Sequence, residues 1–382
     1  MNFNQTLLQI QKELDQQNLQ ACLDLMEPLF EEADQEKYED EEYEYHTFEE
    51  PVQEFIYTVK NQKTKKMNNV ANNYGHFYKL AGIVEYQLGN KSVAAANFKE
   101  SLKWNPTDLE TRLLETELYR NDLEKYKEKN LEILEYAYKR DFIAQIYLNL
   151  AECFEDDVTK AYCMYYAHFF DRTIPGLEDV LMELAEKTGI KDYPPEEELM
   201  KLFKAYGIPK APDQELMSIL FNMGLEFESR KNYQMSLYGL NLLYDLNHDI
   251  DVLKKIKVVK EELGQGFYPL CESFFKEPSQ EKYVQVIEML SYLDVLVPVK
   301  KENDREFVIL RGQNGEIAIP VFYEIAQTQS MFGEDVLLER MDLRELARSV
   351  AKEEGLAALV YNPFSPNNLT LRKDVLNYIS RR

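Results

Sequence analysis

The chain has 382 residues, and because 44 are Lys or Arg while 68 are Asp or Glu, its formal net charge at pH 7 is −24. Hydrophobic residues make up 45% of the sequence, which is typical of globular proteins and excludes global disorder. The negative charge argues against non-specific nucleic-acid binding and against docking on anionic membranes, because both need clustered Lys and Arg.

The amino terminus and the cysteines bear on the cellular compartment. The first residues have neither the basic nor the apolar segment of a secretory signal, and no apolar run approaches the ~20 residues that span a bilayer. Cys22, Cys153, Cys163 and Cys271 form no CxxC pair, and no His stands at metal-ligand spacing from them. We therefore expect buried free thiols, a cytoplasmic protein, and no metal or other cofactor.

Acidic residues are densest between Glu31 and Glu50, where 11 of 20 positions are Asp or Glu. Mutual repulsion disfavours the packing of such a run, so we interpret residues 31–50 as a mobile acidic loop. Two functions are open for this loop. It either attracts a basic partner, or it is a solvated segment that keeps the protein soluble.

Apolar residues between about residues 3 and 277 recur at the spacing i, i+3, i+4, i+7, which predicts α-helices. The pattern is interrupted by short polar turns, so the helices are expected in successive pairs. Because one helix pair cannot bury its apolar face alone, we expect the pairs to stack into an irregular solenoid of about a dozen or more helices.

One of these pairs, Tyr78–Pro106, resembles a tetratricopeptide repeat (TPR), a helix pair with fixed small and aromatic positions. The matching residues are Tyr78, Gly82, Ala94, Phe98 and Pro106, and the departures are Ala81, Glu85 and Ser101. A second match runs from Met223 to Leu243, and a third, degenerate match runs from Leu150 to Tyr165. The resemblance implies an α-helical, TPR-like solenoid over residues 1–277.

The TPR resemblance also implies a concave groove lined by the first helix of each pair. In the unit that matches best, the groove-facing positions are His76, Lys79, Ile83, Tyr86 and Gln87. Ile83 stands where a carboxylate-binding TPR has Asn, so we do not expect this groove to bind a C-terminal carboxylate. The alternative is that these side chains are solvated or contact a neighbouring helix.

The pattern changes near Pro278, and we predict a second domain over residues 278–382. Of the total charge, −21 lies in residues 1–277 and −3 in residues 278–382. The predicted elements are a helix Gln280–Tyr292, a strand Asp294–Val299, a hairpin of Glu306–Arg311 and Glu316–Phe322 around Gln313-Asn314-Gly315, a strand Asp335–Arg340, a helix Asp342–Glu354, strands Ala357–Tyr361 and Asn368–Leu371, and a helix Leu371–Ile379. This order predicts a small α+β domain with a mixed sheet.

The second domain resembles the SseB-type N-terminal domain, a family named for enhanced serine sensitivity. The resemblance covers a quarter of the chain and is carried by Leu296–Val299, Ile319–Phe322, Gly355, Val360–Pro363 and Leu369–Leu371. The sequence departs from the family at Phe322-Tyr323, where the family has Phe-Thr. The resemblance implies the fold and leaves the biochemical role open.

No catalytic motif stands out in the sequence. The histidines His46, His76, His168 and His248 all precede residue 278, which excludes a Cys/His or Ser/His site confined to the predicted second domain. There is no HExxH sequence, and Gly264-Gln265-Gly266 is interpreted as a helix-breaking turn rather than a phosphate-binding loop.

These patterns predict a non-enzymatic cytoplasmic adaptor or scaffold that binds a protein or peptide partner through the TPR-like groove. The SseB-like domain would bind a second ligand or rigidify the end of the array. Two alternatives are open: an acidic inhibitor or immunity-type protein that acts on a basic partner, and an enzyme that uses carboxylates alone. Neither nucleic acid nor a membrane is expected as a partner, and the oligomeric state is left open.

Overall fold

The computed structural model describes residues 2–61, 65–301, 306–312, 315–325, 328, 332, 336–363 and 365–380. The chain forms two compact units, Met1–Asn222 with Leu242–Asn247, and Met223–Asn241 with His248–Arg382. The second unit therefore contains the predicted C-terminal domain together with helical residues that precede it. Whether residues 278–382 fold alone stays a prediction.

The N-terminal region is helical, as the apolar periodicity predicts. Its helices are α1 (Phe3–Asp15), α2 (Leu19–Ala33), α3 (Pro51–Asn61), α4 (Tyr74–Gln87), α5 (Lys91–Trp104), α6 (Leu109–Glu117), α7 (Leu123–Leu134), α8 (Arg140–Glu152), α9 (Asp157–Phe170), α10 (Leu177–Thr188), α11 (Glu196–Tyr206), α12 (Gln214–Ser229) and α13 (Tyr233–Asn247). Several begin at a side chain that accepts a hydrogen bond from the first turn, as Asn73 does for α4 and Asp108 for α6.

The acidic run predicted as a loop carries regular structure over part of its length. Helix α2 continues to Ala33, and strand β1 (Tyr43–His46) pairs in parallel with β2 (Lys66–Asn69), with α3 as the connection. Alternate residues of β1 are buried, and the Tyr57 hydroxyl of α3 donates a hydrogen bond to Glu44 Oε2 (3.0 Å). Intramolecular bonds of this kind offset the repulsion that favours a loop. We call residues 43–69 the β1–α3–β2 insert.

Two helix pairs pack closely because a glycine faces a large side chain. A Cβ atom built on Gly82 of α4 would lie 2.4 Å from Cε1 of Phe98 on α5, and one built on Gly224 of α12 would lie 2.6 Å from Cγ of Leu240 on α13. Neither distance leaves room for a methyl group. In both pairs the glycine therefore sets how closely the two helices approach.

The C-terminal region combines helices with small mixed sheets. Its elements are α14 (Ile250–Lys276), α15 (Gln280–Ser291), β3 (Asp294–Lys300), β4 (Leu310–Arg311), β5 (Ile317–Val321), β6 (Val336–Asp342), α16 (Leu343–Lys352), β7 (Ala358–Tyr361), β8 (Leu369–Arg372) and α17 (Lys373–Ser380). Strands β3 and β6 pair antiparallel, and the order β4-β5-β7-β8 contains one parallel pair, β5 with β7. Backbone hydrogen bonds between Leu296 and Phe322 link β3 to the residue after β5. The predicted mixed sheet is confirmed.

The turn of the predicted hairpin falls partly outside the described residues. Gln313 and Asn314 lie outside the described residues, and so, in a separate stretch, does Asp335 at the start of a predicted strand. On either side, Leu310 pairs antiparallel with Ala318, and Arg311 with Ile317. The pairing on both sides is that of the predicted hairpin.

The interpretation of Gly264-Gln265-Gly266 as a helix-breaking turn is wrong. These residues lie inside the continuous helix α14. The structure gives Gly264 a packing role instead, because a Cβ atom there would lie 1.8 Å from the hydroxyl oxygen of Tyr323. The ring of Tyr323 also packs edge-on against Phe267 of α14, with ring centroids 5.4 Å apart. The space taken by Tyr323, which lies far along the chain, therefore explains why residue 264 is a glycine.

Candidate partner-binding face on helix α4

The five predicted groove residues lie along one face of α4, because they recur every three or four residues in a single helix. We call this set, His76, Lys79, Ile83, Tyr86 and Gln87, the α4 stripe. The helix begins where the Asn73 side chain accepts a hydrogen bond from the His76 backbone N–H (3.0 Å). The stripe divides into two halves with different surroundings.

The N-terminal half of the stripe contacts the β1–α3–β2 insert. His76 Nδ1 lies 3.3 Å from one carboxylate oxygen of Glu49, and Lys79 Nζ lies 3.8 Å from the other. Glu49 belongs to the acidic run, so the acidic segment and the predicted groove face meet in the folded chain. The sequence presents them as separate candidate surfaces, and the structure brings them together.

Lys79 is buried among carboxylates. Its side chain is 4% exposed, and its Nζ lies 3.2 Å from Asp108 and 2.9 Å from Glu110. Burial alone would lower the pKa of Lys79, but the charges of Asp108, Glu49 and Glu110 raise it above its ordinary value. The ammonium group is thus held by the protein itself, and removing it would leave buried negative charge.

Glu49 is the acidic centre of this contact. Burial would raise the pKa of Glu49, but the close contact with the His76 ring and the charge of Lys79 lower it to about 2. Its side chain also accepts a hydrogen bond from Asn73 Nδ2 (3.1 Å). The carboxylate therefore stays ionised through the whole neutral and mildly acidic range.

The insert is fastened by a residue that sequence reasoning missed, Gln53 on α3. Its Oε1 accepts hydrogen bonds from the backbone N–H groups of Glu49 (2.9 Å) and Glu50 (3.1 Å) and from Asn105 Nδ2 (3.0 Å). Its backbone carbonyl accepts a bond from the Thr107 hydroxyl (3.1 Å). Gln53 is 3% exposed, and only the tertiary structure shows why a polar residue can be buried there.

The C-terminal half of the stripe is more open. Ile83 packs against the core formed by α1, α2 and α4, whereas Tyr86 is 38% exposed and Gln87 is exposed. Two further apolar side chains at the same end of the α4–α5 pair are exposed, Leu88 by 43% and Val93 by 46%. We call Tyr86, Gln87, Leu88 and Val93 the hairpin-end surface.

The cysteines and the possible metal ligands are the remaining candidates for chemistry outside the α4 stripe. Cys22, Cys163 and Cys271 are buried, and burial raises the pKa of Cys271 to about 12. Partial burial likewise raises the pKa of Cys153 to about 11, so these thiols are poor nucleophiles at neutral pH. Across the described ranges, no group of three or more His, Cys, Asp or Glu side chains is arranged to hold a metal ion.

Nor does the described chain contain a helix that is both long and apolar enough to cross a bilayer. In the comparison with known families, residues 272–377 match the SseB protein N-terminal domain. This is a little over a quarter of the chain, and it supports the SseB-like identity of the C-terminal region. No curated protein matches the chain as a relative.

Proposed function

We propose that this chain is a non-enzymatic cytoplasmic adaptor whose TPR-like helical region binds a segment of a partner protein. The solenoid interpretation is supported by the two glycine contacts. Gly82 with Phe98 and Gly224 with Leu240 are each separated by the same interval in sequence, and each fixes a close helix pair. Repetition of one packing device along the chain is what a repeat architecture requires.

The observation that carries the binding proposal is the exposed hairpin-end surface. Tyr86, Leu88 and Val93 leave apolar area in water on a rigid helix pair. Tyrosine contributes a large contact area and loses little side-chain entropy at an interface. The N-terminal half of the stripe is held by Glu49 of the insert, so we assign the partner contact to Tyr86 and Gln87 rather than to Lys79.

The test is capture of a partner from a lysate of the native host, followed by binding measurements at physiological salt. We expect Tyr86→Ala to weaken binding of the captured protein about tenfold or more, as loss of an aromatic interface anchor does. Tyr193→Ala, at another exposed tyrosine, is the matched control. Equal affinities of the two variants for the partner would show that the hairpin-end surface is not the binding site.

A charge-mimicking inhibitor of a basic partner is the second candidate, favoured by one observation. Residues Glu36, Glu41 and Glu42 of the acidic run remain exposed, and the contact with the α4 stripe is made by Glu49 instead. Changing all three to Gln would then slow association and flatten its salt dependence, whereas Tyr86→Ala would have little effect. Deleting residues 31–50 is unsuitable as a test, because the deletion also removes Glu49 and β1.

A further inference from the structure

An open cavity of about 620 Å³ lies beside the C-terminal end of α2, on residues other than the α4 stripe. Its walls come from α2, from the segment that follows α2, and from α4 and α5. The end of a helix where the carbonyl groups point carries partial negative charge, so cations are favoured there. The position alone does not make a binding site; the side chains that line the cavity determine whether it can bind a ligand.

The lining is acidic, with four carboxylates against one ammonium group. The charged lining residues are Asp34, Glu36, Glu39, Glu100 and Lys37. Two of the carboxylates have cationic partners outside the lining: Glu39 pairs with Lys65 (2.8 Å) and Glu100 with Lys103 (2.6 Å).

The remaining two carboxylates are available to a ligand. Asp34 accepts a single side-chain hydrogen bond, from the Tyr78 hydroxyl (3.0 Å). The Glu36 carboxylate forms no hydrogen bond or ion pair with any residue that the structure describes. A cation that enters the cavity would therefore meet negative charge that the protein has not already neutralised.

Aromatic rings complete the walls. Phe30, Tyr38 and Tyr78 all line the cavity, and Tyr38 is 40% exposed. The protein already places one cation against this wall, because Lys103 Nζ lies 5.2 Å from the centroid of the Tyr38 ring. Aromatic faces attract ammonium and guanidinium groups, and guanidinium also stacks on them.

The independent sign of a ligand is Asn97, which lines the cavity from α5. Asn97 is 8% exposed, and its Nδ2 has no hydrogen-bond partner among the described residues. A buried amide donor without a partner is unfavourable. Because Nδ2 has almost no accessible surface, a ligand would gain if the Asn97 amide turned towards the cavity and donated to a carbonyl oxygen of the ligand. The negative charge of the cavity and the unpartnered Asn97 amide together indicate a ligand that carries both a cationic group and a carbonyl acceptor.

We propose that this cavity binds an arginine residue of a polypeptide. The guanidinium group contacts Asp34 and Glu36 between the aromatic rings, and a backbone carbonyl of the same segment accepts a hydrogen bond from Asn97. Arginine fits better than lysine because its planar group both pairs with carboxylates and stacks on rings. The inference rests on the proposed function only in taking the natural ligand to be a protein segment.

The probe is arginine blocked as Nα-acetyl-arginine methylamide, titrated into the full-length, nitrogen-15-labelled chain. Its control is the citrulline analogue, which has nearly the same shape and no charge. We expect the arginine probe to shift the backbone signals of residues 30–39 and 96–100 and the side-chain amide signal of Asn97. Binding of the citrulline analogue should be at least about threefold weaker, and added salt should reduce the difference.

Two pairs of variants locate the site. Glu36→Gln and Asn97→Leu should each weaken the arginine probe about threefold or more. The matched controls are Glu31→Gln, an exposed acid outside the lining, and Asn241→Leu, a second buried asparagine whose Nδ2 is unpartnered. Because Glu36 is exposed, its variant remains informative even if Asn97→Leu fails to fold.

Equal binding of the arginine and citrulline probes would overturn the proposal. So would equal losses in Glu36→Gln and Glu31→Gln, or signal shifts confined to other parts of the chain. The probe needs no partner protein, so this result is independent of the Tyr86→Ala test. If Tyr86→Ala does not weaken partner binding, the arginine site is unaffected. If the arginine probe does not bind, the adaptor proposal is unaffected.

Discussion

The side chains that are buried around α4 differ in chemical type from those that are buried around α14. Next to α4, the buried set includes Lys79, Asp108 and Gln53, which are held by ion pairs and hydrogen bonds. Around α14 and the sheets, the buried set is mainly apolar and includes Phe267 and Phe322. Ion pairs and hydrogen bonds are therefore buried beside an apolar core in the first region, whereas the second region is stabilised mainly by shape and apolar area.

The second region also contains a lysine between carboxylates, which makes the comparison sharper. Lys260 Nζ lies 2.5 Å from Asp294 and 2.9 Å from Asp342, but its side chain is less deeply buried than that of Lys79. Asp342 also caps α16 by accepting hydrogen bonds from the Arg344 and Glu345 backbone N–H groups. The two lysines therefore differ in how deeply the ammonium group is buried, and substitutions at both positions should reveal the effect of that difference.

The largest expected effect tests how much of the second region depends on α14. Fragment 278–382 lacks Phe267, which is fully buried and packs edge-on against Tyr323 and Tyr361. Truncating one buried Phe typically costs about 3–5 kcal/mol, and losing the helix costs more. We expect fragment 248–382 to unfold cooperatively in urea and fragment 278–382 to be much less stable by circular dichroism. Equal midpoints would support the boundary at residue 278.

The next effect concerns Lys79. Lys79→Met leaves Asp108 and Glu49 without their cation, and breaking a buried ion pair from one side costs about 3–5 kcal/mol. Lys260→Met should cost less, because Lys260 is more exposed, and Lys91→Met on the exposed side of α5 should change little. The measurement is the free energy of urea unfolding of the three variants. A larger cost at Lys260 than at Lys79 would contradict the comparison.

A smaller effect is expected from adding a methyl group to a helix glycine. Gly82→Ala places Cβ against the ring of Phe98 and should destabilise the fold by about 1–3 kcal/mol, as overpacking does. Gly266→Ala is the control, because its Cβ would have only Met289 Cε nearby, at 3.4 Å. Alanine's helix propensity should then stabilise α14 by up to about 1 kcal/mol. Melting temperatures that fall equally in both variants would show that the Phe98 contact is not tight.

The smallest effect is a dependence on pH. The pKa of Glu49 is about 2 in the folded chain and 4.5 ordinarily, so its ionised form stabilises the fold above pH 4.5. That contribution is lost as pH falls from 4.5 towards 2. We expect the stability difference between wild type and Glu49→Gln to shrink across this window in urea titrations. A constant difference for Glu49→Gln would refute the ion-pair assignment.

Local patterns in the sequence were sufficient for the helical character of the N-terminal region and for the main C-terminal strands. The apolar period predicts the helices of the N-terminal region. A helix places residues three or four positions apart on the same face, so the pattern depends only on neighbours one turn away. Strand patterns and Asn-Gly predict β3, β5, β7 and the order of the C-terminal region, which the family match at residues 272–377 supports. The need for a small residue at Gly82 is likewise visible in the sequence, and the structure supplies the neighbour, Phe98.

Contacts between distant residues were decided only by the tertiary structure. Strands β1 and β2 have four residues each and lie in acidic or polar sequence, so self-repulsion suggests a loop. The structure shows instead that Tyr57 bonds to Glu44 of β1 and that Gln53 bonds to the Glu49 backbone, which follows β1. The same holds for Lys79, which in sequence is one more lysine on a helix face and in the fold is a buried cation. Gly264 looks like a helix break until Tyr323 is placed against it. For Lys79 and Gly264 the partner lies far away in sequence, and no local period or propensity reports on it.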